Sequence, residues 1–179
     1  MSRAIRDAVP TDAYALAGRL RKEDLDELAA YDPLMLTPLE ALEQALLVSQ
    51  TCRAFELGGV PEAVWGVVDE GEGRGRIWML GAPRVAEDRR WFLMESVRQV
   101  EQLESGFREV YNFVDDRYES ALRWLRWLGF RWAGTGVSQW SGLPLSLMVR
   151  RVGDGTGASV DSSDRDRAGR SCDRLLGRP

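Results

Sequence analysis

The chain has 179 residues, no histidine, two cysteines and seven tryptophans, and its one lysine (Lys22) stands against 23 arginines. This composition excludes Ser-His-Asp and Cys-His catalysis, imidazole proton transfer near neutral pH, His-based metal sites and a four-thiolate zinc site. Chemistry must rest on carboxylates, Tyr, Ser, Cys, Arg or backbone dipoles, and a 44% hydrophobic share fits one domain of ordinary size.

The formal net charge is −4. Residues 1–72 carry 14 acids and 6 bases, residues 73–151 carry 9 and 13, and the rest carry five of each. Net acidity argues against a nucleic-acid partner. The basic second half suits either an anionic ligand or a solvated surface. The longest aliphatic run, Ala45-Leu46-Leu47-Val48, is far too short to span a bilayer. Residues 1–7 are charged and lack the apolar core of a signal peptide. Cys52 and Cys172 are too far apart to suggest a disulfide framework, which points to the cytoplasm.

In chain order, residues 3–6 read as a strand, and Pro10-Thr11-Asp12 opens a helix capped by Thr11 or Asp12. Its apolar stripe is Ala13, Leu16, Ala17 and Leu20. A second helix covers 22–31 through Leu25, Leu28 and Ala29, and Asp32-Pro33 breaks it. Thr37-Pro38-Leu39-Glu40 is a capping box that starts a helix running to Val48. Thr51–Leu57 and 63–68 are strands joined by the hairpin signal Gly58-Gly59. The run 70–75 is a polar, glycine-rich loop, and 76–82 a buried strand. A helix from Pro83 to Glu104 follows, with Phe92, Leu93, Val97, Val100 and Leu103 inside. Residues 109–114 form a strand and 118–128 a helix stopped by Gly129. Segments 130–132 and 137–140 give one or two strands, and 145–151 a last one. Residues 152–179 read as a disordered polar tail, with a weak helical turn at Cys172–Leu176. Interleaved helices and strands in this mixture predict an α/β (α+β) layer fold, with helices on a mostly antiparallel sheet.

The block Tyr118 to Phe130 carries Ala121-Leu122, Trp124-Leu125, Trp127 and Leu128-Gly129-Phe130. It resembles the C-terminal motif of the GNAT acetyltransferase superfamily. More specifically, Pro38-Leu39-Glu40-Ala41-Leu42 with Ser49, Val64–Val67, Ile77–Gly81, Arg89–Leu93, Val110–Asp115 and Ala121–Phe130 occur in an order and at spacings that resemble the internal virion protein A family of short-tailed phages. The resemblance covers about residues 3–134. It implies a GNAT-like domain over 1–151, a phage or prophage context, and a role in virion formation with phage structural proteins as partners.

The GNAT resemblance also implies where acetyl-CoA would sit, between the strands at 76–82 and 109–114, along Met79 and Leu80. The family's pyrophosphate signature, Arg/Gln-x-x-Gly-x-Gly/Ala, falls on residues 81–90, which have no glycine after Gly81 and carry Glu87 and Asp88. Arg84, Arg89 and Arg90 are the side chains that compensate, or they simply solvate a helix start. The tyrosine acid of active members falls on Leu125, which has no proton to give. Tyr118, at the motif's Asn position, is a substitute donor, and Asp69 or Glu70 at a strand end is a base acting through water or plain surface. Cys52 reads as a small core residue.

Trp124, Trp127 and Trp132 interleave with Arg117, Arg123, Arg126 and Arg131. Either Arg stems cover core aromatics, or Trp124, Trp127, Arg123 and Arg126 form a protein-binding patch. The preferred expectation is a phage GNAT-fold protein acting in virion morphogenesis through protein contacts, with a degenerate acyl-CoA site, in the host cytoplasm or on the virion. The alternative is an acyl-CoA-dependent N-acetyltransferase with an atypical site. No metal and no membrane span are expected, and the oligomeric state stays open.

Overall fold

The computed structural model describes residues 2–31 and 37–153. The element order is β1 (Arg3–Asp7), α1 (Pro10–Ala17), α2 (Lys22–Tyr31), α3 (Pro38–Val48), β2 (Thr51–Leu57), β3 (Val60–Asp69), β4 (Arg74–Gly81), a 3-10 helix (Pro83–Asp88), α4 (Arg89–Leu103), β5 (Glu109–Asp115), α5 (Glu119–Trp127), β6 (Arg131–Val137) and β7 (Pro144–Arg151). Residues 154–179, with Cys172, and the Asp32-Pro33 break lie outside the described residues.

Local signals explain several starts. Thr37 Oγ1 accepts the Glu40 N–H and a Glu40 carboxylate oxygen accepts the Thr37 N–H at 2.7 Å, which is the capping box the sequence spells. Gly58 and Gly59 have φ of 62° and 79°, the pair of positive values that a tight hairpin needs. At α1 the cap differs from expectation. Pro10 is the first helical residue, Val9 is the cap, and Asp12 accepts the Val9 N–H at 2.8 Å. Asp12 is held there by Arg6 at 2.7 Å.

The helix expected from Pro83 also differs. Pro83–Asp88 winds as a 3-10 turn, and α4 begins at Arg89, because Asp88 (φ −122°, ψ 37°) leaves the helical region. Asp88 is paired with Arg3 of β1. The uncertain region after Gly129 is one strand, β6, with a register shift between Trp132 and Gly134.

The seven strands form one sheet in the order β1-β2-β3-β4-β5-β7-β6. All neighbours are antiparallel except β4 and β5. Helices α1 and α3 cover one face, burying Leu16 and Leu42 with Val64 and Leu80. Helices α4 and α5 cover the other, where Phe92, Val100, Leu122 and Leu125 pack with Trp65, Ile77 and Val114. The α2 stripe is not the expected one. Leu25 is 39% exposed, whereas Asp24 and Ala30 are buried. No helix among the described residues is long and apolar enough to cross a membrane.

The β4–β5 seam positions the site. Parallel pairing is confined to Arg74–Glu109, Gly75–Val110 and Arg76–Tyr111, although β4 continues to Gly81 and β5 to Asp115. Beyond Arg76 the strands part.

Candidate functional site

Two cavities meet at the parted seam. The larger, about 410 Å³, lies under α4 and α5, and the smaller, about 320 Å³, lies on the opposite face between α2, α3 and β4. Asp24, Glu27, Trp78, Met79 and Asn112 line both. The sheet is therefore open from one face to the other where a continuous ladder would have sealed it.

Helix α2 spans the gap. Asp24 accepts the N–H of Gly81, the last residue of β4, at 2.8 Å. Glu27, three residues on and so on the same helix face, accepts the N–H of Asp115, the last residue of β5, at 3.3 Å. Arg21 clamps Asp24 at 2.8 Å, and its own N–H donates to the Gly81 carbonyl at 2.9 Å. Two carboxylates thus satisfy strand ends that would otherwise pair with each other.

These carboxylates are electrostatically unlike. Burial is the larger influence on Asp24 and raises its pKa, against the opposing pull of Arg21. Glu27 forms no ion pair among the described residues. Burial pushes it up to about 7, the Asp115 N–H opposes this, the nearby charges of Asp24 and Asp115 add to the rise, and the Arg21 charge acts on it only as the weakest influence. A carboxyl poised near neutrality at the junction of two cavities suits a general base. Tyr118, half-buried before α5, lines the larger cavity, and burial raises its hydroxyl to about 12. It therefore keeps its proton at neutral pH.

The residues picked from the sequence fall in several places. Met79 and Arg89 line the larger cavity, as do Arg123 and Trp124. Leu80 is buried on the opposite face and lines only the smaller cavity. Arg84 is turned to Glu62 at 3.1 Å and Glu87 at 3.2 Å, and neither it nor the exposed Arg90 lines the cavity. Glu70 is exposed beside the β3–β4 turn and lines neither cavity, although it pairs at 2.7 Å with Arg76, which lines the smaller one. Trp124 is not part of an exposed patch. Its indole N–H donates to Ser96 at 3.3 Å and its ring lies 6.1 Å from Phe92. Trp127 is 48% exposed, and Arg126 is exposed beside it. Leu125 is buried in the core, as its apolar side chain requires.

The gap is not plugged by the aromatics beside it. Trp78 donates its N–H to Ser49 Oγ at 2.8 Å, over Gly66, where a Cβ would meet the indole nitrogen at 3.1 Å and Cys52 Sγ at 2.9 Å. Tyr111 is buried at the paired end, 4.9 Å from the Arg74 guanidinium, and Trp91 stacks on Phe55 at 5.2 Å.

Sequence reasoning missed Asp24 and Glu27. The available signal was their spacing with Leu28 and Tyr31, which puts acids and apolar residues on one α2 face. No cluster of metal-ligand side chains occurs among the described residues.

Comparison with known proteins bears on the fold. No protein-family model and no curated protein matches the chain. Solved structures do. The phosphinothricin acetyltransferase of Sinorhizobium meliloti, solved with acetyl-CoA, matches at 19% identity and a TM-score of 0.64, over 92% of this chain and 96% of its own. The ribosomal-protein-alanine N-acetyltransferase of Brucella melitensis matches at 19% identity and 0.63, over 83% and 99%. The GNAT-family acetyltransferase of Streptococcus pneumoniae matches at 19% and 0.58, over 85% and 100%. The narrower resemblance to internal virion protein A finds no counterpart in these comparisons. The chain has the GNAT acetyltransferase fold.

Proposed function

We propose that this chain is an acyl-CoA-dependent N-acyltransferase with an atypical site. The observation that carries the reading is the parted β4–β5 seam with the Glu27 carboxyl where the two cavities join. The donor would occupy the larger cavity and a primary amine the smaller.

The fit to the donor is uneven. Strand alternation turns the backbone of Met79 the same way as that of Gly81, toward the gap, where no strand pairs with it. An extended arm with amide groups can add there as a strand would. The pyrophosphate end fits poorly. Residues 82–90 have no glycine, the 3-10 turn fills the strand–helix junction, and Glu87 and Asp88 stand at the α4 start. No step is assigned to a cradle there. Arg89 and Arg123, exposed and lining the cavity, meet phosphate by charge instead.

A bound acyl thioester supplies the carbonyl carbon, whose bond to sulfur breaks as the bond to the amine nitrogen forms. Glu27 takes the proton the attacking amine loses. Tyr118 holds a proton at Oη to give to the departing sulfur. Asp24 and Arg21 fix α2, and with it Glu27, against the end of β4. Trp78, tethered to Ser49, keeps the passage open.

The test is release of the coenzyme A thiol from acetyl-CoA across a panel of primary amines. Wild type is expected to turn over at least one amine, and Glu27→Gln to lower kcat/KM by roughly 100-fold or more with acetyl-CoA affinity unchanged. A wild type that neither binds nor consumes acetyl-CoA overturns the reading.

A second reading is contact with phage structural proteins in virion assembly. Trp127, Trp132 and Trp140, between 45% and 56% exposed, favour a protein contact. Particles of the encoding phage should then carry or require the protein, and Trp127→Ser should weaken that dependence. Normal particles without the protein would end this reading.

A further inference from the structure

We propose that the amine taken by the smaller cavity is an ω-amino acid, whose carboxylate Arg76 holds while its amine meets Glu27. The proposal rests on the acyltransferase reading and names its acceptor class.

The smaller cavity carries opposite charges at its two ends. Asp24 and Glu27 stand where it joins the larger cavity. Arg76, in the last paired register of the seam, is the one cation among the described residues that line it. Leu28, Val48, Val68 and Phe113 give it apolar wall. A ligand that matches this lining is positive at one end, negative at the other and apolar between.

Strand β5 sets the spacing. Arg76 stands opposite Tyr111. Two residues on, the Phe113 carbonyl accepts from the Tyr31 hydroxyl. Two further, the Asp115 N–H donates to Glu27 at 3.3 Å. Tyr31 therefore stands between the two charges and feels both. Burial raises its hydroxyl most, the Glu27 charge adds to the rise and the Arg76 charge opposes it. From the Arg76 register to the Glu27 register is about 13 Å at the strand rise. Arg76 leans toward Glu70, past the end of β3 and away from the gap, so its length does not close this span. A hydrogen bond of about 3 Å at each end leaves roughly 7 Å for the ligand, about five methylenes at bonds of about 1.5 Å.

The amine and carboxylate of an α-amino acid share one carbon and cannot reach both ends. An amine without a carboxylate gains nothing from Arg76. An ω-amino acid reaches both, and its methylenes lie along the apolar wall. Arg76 can receive it, because Glu70 engages Nε at 2.7 Å in an exposed pair that water screens. The two Nη nitrogens form an edge that meets a carboxylate side by side. The carboxylate takes no part in the transfer, in which the acyl carbon leaves sulfur for the amine nitrogen.

The test compares kcat/KM with acetyl-CoA for 6-aminohexanoate, its isomer norleucine and the neutral 6-aminohexanamide. The first is expected to exceed each of the others at least about tenfold, the worth of hydrogen bonds to a charged group. Arg76→Gln is expected to remove most of that advantage through a higher KM for 6-aminohexanoate, as loss of a binding contact does. Arg76→Lys should keep part of it. A merely structural Arg76 would lower all three substrates alike. If the variants fail to fold, the wild-type comparison decides alone. Equal rates with 6-aminohexanoate and its amide, or a preference for norleucine, overturns the proposal and leaves the acyltransferase reading standing. So does turnover of other amines with none of these three. No consumption of acetyl-CoA with any amine overturns both.

Discussion

The two ends of the β4–β5 seam use the same pair of strands and opposite chemistry. At the paired end, Arg74 bridges to Glu109 at 2.7 Å and covers the Tyr111 ring. Gly75 allows the close approach, since a Cβ there would meet Val67 at 2.8 Å and Phe107 at 3.1 Å. At the parted end, α2 replaces the ladder with Asp24 and Glu27. The contrast shows what a strand pair gives up to become a site. Backbone groups are released from the ladder, their ends are held by side chains, and one of those side chains becomes chemically available. The paired end supplies the rigidity that keeps the parted end at a fixed width.

Each end can be broken separately. The largest effect is expected from Glu27→Gln, a loss of roughly two orders of magnitude or more in acyl transfer, read by thiol release. The wild-type rate should rise with pH and level off above the Glu27 pKa of about 7, since the ionised form is the base. The variant should lack that step, and a wild-type profile flat from pH 5 to 9 would count against Glu27 as base.

The next effect lies at the paired end. Gly75→Ala is expected to cost about 1–3 kcal/mol, because the added methyl overpacks against Val67 and Phe107. Denaturant unfolding measures this, and an unchanged midpoint would mean the approach is looser than described.

A third effect concerns stability against pH. Burial raises Glu27 above its unfolded value, so the folded state binds the extra proton between those two values. Folding stability from this group is complete below the unfolded pKa and is lost as pH rises from about 4.5 to about 7. Glu27→Gln should flatten that part of the thermal midpoint curve, and an identical slope in both proteins would place the group in water. The smallest effect is expected from Glu70→Gln. Its pair with Arg76 is exposed, worth about 0–1 kcal/mol, and the rate should stay within twofold of wild type.

What could be read from the sequence follows how local each cause is. The capping box at Thr37 and the Gly58-Gly59 turn involve residues within three positions of each other, and both stand in the structure. The mixed, mostly antiparallel sheet flanked by helices was legible from the order of periodic segments. The α2 site was not. Asp24 meets Gly81 and Glu27 meets Asp115 across 57 and 88 residues, and in one dimension acids on an amphipathic helix look like a solvated face. Glu70 was chosen because it follows a strand, but it follows the paired end of the seam, not the parted one. Trp124 was grouped with Trp127 by spacing, although helical rotation turns Trp124 inward and Trp127 outward.

The central claim, that the parted seam receives an acyl thioester, is tested most directly by calorimetric titration of the full chain with acetyl-CoA. Ala121, half-buried on α5, lines the larger cavity, and Ala121→Trp should fill part of it. Saturable one-site binding in the micromolar range by wild type, weakened tenfold or more in Ala121→Trp, is the predicted result. No binding by wild type, or equal affinity in the filled variant, would contradict it.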